Sequence, residues 1–553
     1  MSHRFFRSTP RLHFAPASPQ CPDCGARSRA YKTAHRTIRT AEVGEFVAIE
    51  HLRQCERGHP RRILHSERLR TLVGRGCTYA HDVMVVGAER RFLQGQSCRE
   101  IASAMENGIS ESHLGRLTNL ALEVFRRIHG RNAAVLVPHL GAWVLQIDGT
   151  VDGEYEMVVG VRDARSGFLL HGRKCHSEST EELVPLLQEI RARFGVPVAT
   201  LSDLRATLLA ALDQVFPEVP RLLCGFHFLR DAGKDVLEAR HTALAKMLRT
   251  VGTKAALKRV MMALPTVEPA LVEELEYGYC TDPSRFARVY ARRVIERLVA
   301  VKGSDGYGFP FTLRHLEFVN RCEEARPVLE KIHRQTGEAG VGEAVRILGS
   351  LLDDPSVHGT VQELRAIAPL FQALREAMDL KGERTPLSAE HRRGKEVQAA
   401  CQRLIAEWER YLMAEVPGHV CRALKHLIEE YRKRERCLFF EMDGVEVPFT
   451  NNGLEGEFRR MRRTVRKRCG NRATGRQLTL RGEGLLLFQN LRSEKYRTLV
   501  FGDREVAAVF GEERAQWTRP PTVSGARVAT LLEKGMTLLM SGQLPTSPYS
   551  VAG

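Results

Sequence analysis

The chain has 553 residues, 43% of them hydrophobic and 27% charged, the make-up of a folded protein of about two to four domains rather than one core. Its formal net charge of +17 favours a polyanionic partner, nucleic acid above all, because Lys and Arg release counterions condensed on phosphates. No apolar run reaches the roughly 20 residues that span a bilayer. The N-terminal stretch MSHRFFRSTPRLHFAPASPQ lacks the apolar core of a secretory signal, and 13 mostly scattered Cys point to a reducing, cytoplasmic setting in which a few Cys hold metal.

In chain order, CPDCG comes first and places Cys21 and Cys24 in a C-x-x-C knuckle. CERGHP adds Cys55 and His59, with His51 as an alternative to His59. Thiolates plus an imidazole are the ligand set of a closed tetrahedral Zn²⁺ site. Between the pairs, Phe46 and Ala48 alternate with Val47 and Ile49, a strand pattern that suits a zinc ribbon. Next, Ser97 and Glu100 form a capping box that opens a short helix with Ile101, Ala104 and Met105 on its apolar face. A Gly-bearing turn follows, then a longer helix capped by Ser110 and carrying Leu114, Leu117 and Ala121. This is the helix-turn-helix pattern, in which Glu111, Ser112, His113 and Arg116 would face a major groove. A plain helical hairpin has the same composition.

From Trp143 onward three strands are joined by tight turns at DGE and RSG. The order then continues helix, strand, helix, strand, helix, which predicts a mixed sheet with helices on both faces. Asp148 and Asp203 stand where two of the apolar strands run out, the side of an α/β sheet where ligands bind. Roughly two hundred residues of helical pattern follow, with DLKGERTPLSAEHRRGKE as the most linker-like piece. Then comes TNNGLEGEFRRMRRTVRKR. Asn451 or Asn452 can cap a helix there, Glu455 sits in its first turn, and Arg459, Arg462 and Arg466 share the face of Glu455. Glu457, the nearest rival carboxylate, points roughly 200° away around the helix.

Three segments carry a resemblance. The strand order with Asp148 and Asp203, the stretch SDLRATLLAALDQVFPEVPRLLCGFHFLRD with the C-x-x-H pair Cys224 and His227, and the Asn-Asn–Glu–basic-helix segment resemble DDE transposases of bacterial insertion sequences and their Mutator-like relatives. One departure is Leu204 after Asp203, where many relatives have Gly.

The resemblance implies a ribonuclease-H-like core interrupted by an all-α insertion, behind an N-terminal zinc ribbon and helix-turn-helix. It divides the chain into 1–75 (zinc ribbon), 76–135 (helix-turn-helix), 136–237 (first part of the core), 238–447 (insertion), 448–500 (third-carboxylate helix) and 501–553 (tail). It implies catalysis by Asp148, Asp203 and Glu455 holding two Mg²⁺ or Mn²⁺ ions, with DNA contacts from His113, Arg116, Arg459, Arg462 and Arg466. The expected partners are double-stranded DNA, as terminal inverted repeats and target, and further copies of the chain as a dimer or higher oligomer on DNA in the nucleoid, with no membrane. Two alternatives are a catalytically decayed DNA-binding regulator and a ribonuclease-H-type nuclease or resolvase without strand transfer.

Overall fold

A long hairpin dominates the first part of the protein. The computed structural model describes residues 8–57, 63–151, 157–300, 308–380, 394–440, 447–469, 474–517 and a few positions between 530 and 541. These fall into two compact units, one of 1–132, 467–469 and 497–553, the other of 133–466 and 470–496. Among the described residues no helix is long and apolar enough to cross a membrane.

In the first unit, β1 (Arg11–Phe14), β2 (Ser28–Arg39), β3 (Glu45–Cys55) and β4 (Ile63–Leu64) form one sheet, with β3 between β1 and β2 and β4 also paired to β3. Phe46 and Ala48 of β3 are buried with Ile38, Leu69 and Ala80, the alternation expected of a half-buried strand. The helices α1 (Glu67–Leu72), α2 (His81–Ala88), α3 (Cys98–Met105) and α4 (Glu111–Arg131) follow. Both bonds of the Ser97–Glu100 capping box are present, and Ser110 caps α4 by accepting from His113 N–H. Leu114, Leu117 and Ala121 are buried as the pattern requires. Ala104 departs from its expected place: it is exposed, and Ile101 and Met105 alone make the buried face of α3. In a helix of only eight residues a narrow stripe of two buried side chains suffices to seat it.

In the second unit, α5 (Ala133–Leu140) leads into β5 (Val144–Thr150), β6 (Met157–Asp163) and β7 (Leu169–Cys175). They are followed by α6 (Thr180–Phe194), β8 (Ala199–Ser202), α7 (Ala206–Val215), β9 (Arg221–Leu223) and α8 (Gly225–Val251). The sheet order is β7-β6-β5-β8-β9, with β6 antiparallel to its neighbours and β5, β8 and β9 parallel. The mixed α/β order read from the sequence is therefore present. The RSG turn is closed by Asp163, whose carboxylate accepts from Val144, Arg165 and Ser166 N–H. The DGE turn lies outside the described residues.

α8 carries the chain without a break into a helical region. That region holds α9 (Thr253–Ala263), α10 (Pro269–Glu276), α11 (Pro283–Val299), α12 (Arg314–Thr336), α13 (Ala339–Leu352), α14 (Pro355–Ala377), α15 (Lys395–Tyr411) and α16 (Gly418–Leu438). One apolar core, running from Leu223 and Phe228 through Phe318 and Leu364 to Tyr431 and Phe449, joins these helices other than α10 to the end of β9. The chain then returns to the sheet through α17 (Asn452–Cys469) and α18 (Gly475–Phe488). The linker-like segment falls mostly within 381–393, outside the described residues.

α18 lies against β6 and β7 at glycines. Leu486 Cδ2 sits where side chains on Gly160 and Gly172 would be, and Val158 fills the space beside Gly482. A Cβ on Gly482 would land on Val158 Cγ2. Gly482→Ala should therefore lower stability by about 1–3 kcal/mol through overpacking. Gly359→Ala in α14, where a Cβ meets nothing within 4 Å, should raise it by up to about 1 kcal/mol. Urea unfolding of both variants checks the pair; equal effects would mean that the approach of α18 to the sheet is not tight.

Candidate functional site

The parallel strands end on one edge of the sheet. β5 pairs with β8 only through Gln146↔Leu201 but stays paired with β6 to Thr150↔Val158. Asp148 is thus not the last residue of its strand, as the sequence pattern suggested. It lies inside β5, beyond the point where β8 falls away, because the antiparallel partner continues to hold the backbone. Asp203 follows the last residue of β8, and Cys224 follows β9 as the residue before α8. The edge therefore collects Asp148, Asp203 and, one turn into α8, His227.

The segment that delivers Glu455 is fastened to this edge through Asn451. Its backbone N–H donates to Cys224 Sγ at 3.2 Å, and its side-chain Nδ2 donates to Ile147 O at 3.2 Å. Its carbonyl accepts from Leu454 and Glu455 N–H, the first turn of α17. Asn451 thus stands where a cap would, but its side chain serves β5 rather than the helix N-terminus. Gly225 N–H donates to Phe449 O at 2.9 Å, and the Phe449 ring occupies the space beside Gly225 where a side chain would be. The C-x-x-H pair therefore divides its work. Cys224 accepts a hydrogen bond that holds the Glu455 segment, and His227 Nε2 lies 3.3 Å from Glu455 Oε1.

Electrostatics follow from this crowding. Burial first, then the nearby Glu455 and Asp203 charges, push the Asp148 carboxyl up to about 7, against the opposing Gly149 N–H and Arg205. Burial also raises Glu455, outweighing Arg230 and Arg459, and Asp203 adds to the rise. Asp203 is raised by burial as well, despite the Arg205 backbone bond and the Arg230 charge. His227 is pushed down to about 4 by burial and then by Arg230, so its imidazole is neutral. With Glu455 ionised, Nε2 carries the proton and Nδ1 remains a buried acceptor with no protein partner.

Sequence reasoning missed Arg205 and Arg230. Arg205 Nε reaches Asp203 at 2.9 Å, and its NH1 pairs with Glu178. The signal was an Arg two residues past the Asp, at the mouth of α7.

Around the carboxylates the pocket is lined by Arg459, Arg462, Arg463 and Arg466, with Arg205 and His227. The expected Arg row on α17 is thus gathered at the site, and Arg463 joins it. Arg462 is also tied back to β5, donating to the Thr150 hydroxyl and to Val151 O at 2.6 Å. Glu457 is turned away and paired with Arg460 at 3.0 Å.

In the other unit, Cys21, Cys24 and Cys55 bring their thiols within 4.8 Å of one another. The Cys24 and Cys55 sulfurs are 3.5 Å apart. Gly25, at φ +67°, lets its N–H turn back onto Cys21 O, the knuckle that points both thiols of C-x-x-C inward. This trio could hold a metal ion such as zinc. Among the described residues it is the group whose ligand atoms close to within 4.8 Å; the carboxylates of Asp148, Asp203 and Glu455 stand farther apart. His59 lies outside the described residues. His51 does not join the trio; it hydrogen-bonds His13 at 2.9 Å and stacks on its ring. Of the four expected groove-facing residues, Glu111, Ser112 and Arg116 on α4 are exposed, whereas the His113 ring is partly covered and packs on Tyr79 with centroids 5.1 Å apart.

No protein-family model and no curated protein matches this sequence.

Two outcomes follow from this geometry. Purified protein should carry about one zinc per chain, lost in Cys55→Ser and kept in Cys98→Ser, as read by metal analysis; retention in Cys55→Ser would remove that residue from the ligand set. The second concerns Asp148. Its folded-state pKa is raised, so the unfolded chain releases the proton first. The carboxyl therefore costs stability increasingly as pH rises from about 4 to about 7, and the cost is complete above that range. In EDTA, Asp148→Asn should raise the thermal midpoint, and more at pH 8 than at pH 5. A gain independent of pH would mean that the carboxyl titrates normally.

Proposed function

We propose that this protein is a DDE-type transposase, cutting double-stranded DNA at the ends of its element and joining the freed 3′ hydroxyl to target DNA. The observation that carries this reading is the meeting of Asp148 and Glu455, more than three hundred positions apart, in one basic pocket, with Asp203 near enough for its charge to raise both. The sheet order β7-β6-β5-β8-β9 with one antiparallel strand on each side of β6 supports a ribonuclease-H-like core. The thiol trio beside the β2–β3 hairpin supports a zinc ribbon, and the capped pair α3 and α4 supports a helix-turn-helix.

The donor set fits a pair of Mg²⁺ or Mn²⁺ ions. Three carboxylates offer hard oxygen ligands, and burial, the main cause of their raised pKa values, disfavours charges that a divalent ion would offset. When bound, such ions supply activation of the attacking oxygen and stabilisation of the leaving one. The chain's own residues do the rest. Arg205 fixes Asp203, and neutral His227 orients Glu455 through its Nε2–H. Asn451 keeps the α17 segment on the sheet edge. Arg459, Arg463 and Arg466 grip the DNA backbone beside the scissile bond, and Arg462 does so while bracing the end of β5. Arg116 and its neighbours on α4 read the element end, and a second copy of the chain on the DNA handles the other end.

The test is cleavage of a labelled duplex made from the sequence flanking the gene, with Mg²⁺ or Mn²⁺ against EDTA, beside a gel shift on the same DNA. Asp148→Ala, Asp203→Ala and Glu455→Ala should each abolish cleavage, and combining them should add little, because the three act as one unit. Binding should survive in all of them. Full cleavage by Glu455→Ala would overturn the assignment of that carboxylate. Cleavage that persists in EDTA would overturn the metal-dependent mechanism.

A further inference from the structure

The helical region of the second unit holds a second basic pocket, built from different elements. At the end of α8 the chain turns at Gly252, with φ +67°, and enters α9. The beginning of α12 lies opposite. Between them is a pocket of about 710 Å³ whose lining includes His241, Leu248, Arg249, Lys254, Phe309 and Arg314. None of its lining residues is acidic. Arg249, Lys254 and Arg314 are exposed, and among the described residues no ion pair joins any of them to a carboxylate. Lys254 Nζ instead lies over the Phe318 ring at 4.6 Å.

These cations act on one another. Burial lowers the Lys254 pKa, and Arg321 and Arg314 lower it further. His315 is lowered by burial and then by Arg314, Lys254 and Arg249. Positive groups brought together without a counter-charge raise the energy of the empty pocket and lower that of an anion-filled one.

The pocket also has an aromatic wall. His241 stacks on Phe309 with centroids 4.7 Å apart and 16° between planes, and the His315 ring is 4.7 Å from His241. His241 is only 7% exposed, and its Nε2 is buried without a partner. Neither α9 nor α12 has a side-chain cap at its N-terminus, so the first-turn N–H groups of both are free to face an anion.

We propose that this pocket binds a nucleotide, with its phosphate against Arg249, Lys254 and Arg314 and its base against the wall of Leu248, Ala245 and Phe309. Charged groups that hold a phosphate beside aromatic and aliphatic side chains that take a planar ring are the two halves of nucleotide recognition. The nucleotide comes either free or as one unit of a DNA strand. The site is independent of the carboxylate pocket, and it holds whether or not that pocket cuts DNA.

The experiment uses the full-length protein in EDTA, so that cleavage plays no part. Two probes separate the two sources: 5′-AMP by calorimetry, and a labelled single strand of about twelve nucleotides by fluorescence anisotropy. Arg314→Gln and Arg249→Gln are compared with wild type and with Arg346→Gln, an exposed Arg elsewhere in the helical region. Each pocket variant should weaken binding about 10-fold and reduce the salt slope by about one, with a melting curve like that of wild type. Loss for 5′-AMP marks a free-nucleotide site. Loss for the strand alone marks a strand-holding site. Binding of both probes by the pocket variants at the strength of Arg346→Gln, or no binding of either by wild type, would overturn the proposal.

Discussion

Asn451 is the residue on which the candidate site depends. Through two hydrogen bonds it joins β5 to the residue before α8, and through its carbonyl it starts α17. Those three points are far apart in sequence, and a helical region with its own apolar core intervenes. Closing so long a loop costs entropy that local contacts cannot repay. The repayment comes from burial: Asn451 is fully buried, and Phe449 and Leu454 beside it are almost fully so. The amide there also gives a hydrogen bond to one backbone carbonyl of the sheet, Ile147 O.

Around that anchor the structure accepts an electrostatic cost. Asp148, Asp203 and Glu455 are held where burial disfavours their charged forms, and the Asp203 charge adds to the burden of Asp148 and Glu455. Carboxylates gathered for packing alone would be paired one by one with bases. Here the Arg side chains serve only part of that need: Arg205 takes Asp203, while the α17 row lines the pocket instead of neutralising Asp148. Groups perturbed in this way by burial and by specific neighbours mark functional sites more often than structural ones.

The proposed nucleotide pocket and the candidate carboxylate site are linked by one helix of the second unit. α8 begins beside the carboxylates with Cys224 and His227 and ends at the Gly252 turn beside the Arg249–Lys254–Arg314 pocket. One 27-residue helix thus contributes side chains to both places. Gly233 lets Phe371 and Pro310 pack closely against its middle, which holds the helix within the same core as α14.

Local signals in the sequence were enough for the elements. Alternation gave the strands, the Ser97–Glu100 box and Ser110 gave the starts of α3 and α4, and Cys21, Cys24 and Cys55 were legible as a set because thiols at knuckle spacing have few other uses. The carboxylates were legible too, since an Asp beyond an apolar strand is out of place on packing grounds. What only tertiary structure decided was which groups meet. Asp148 lies within its strand because β6 outlasts β8 as a partner. His51 turns to His13, Arg462 braces β5, Arg205 holds Asp203, and the cations of α8, α9 and α12 come together across a turn. All but the Arg205–Asp203 pair are long-range contacts, and sequence pattern reports only the face of an element that is buried, never the residue that covers it.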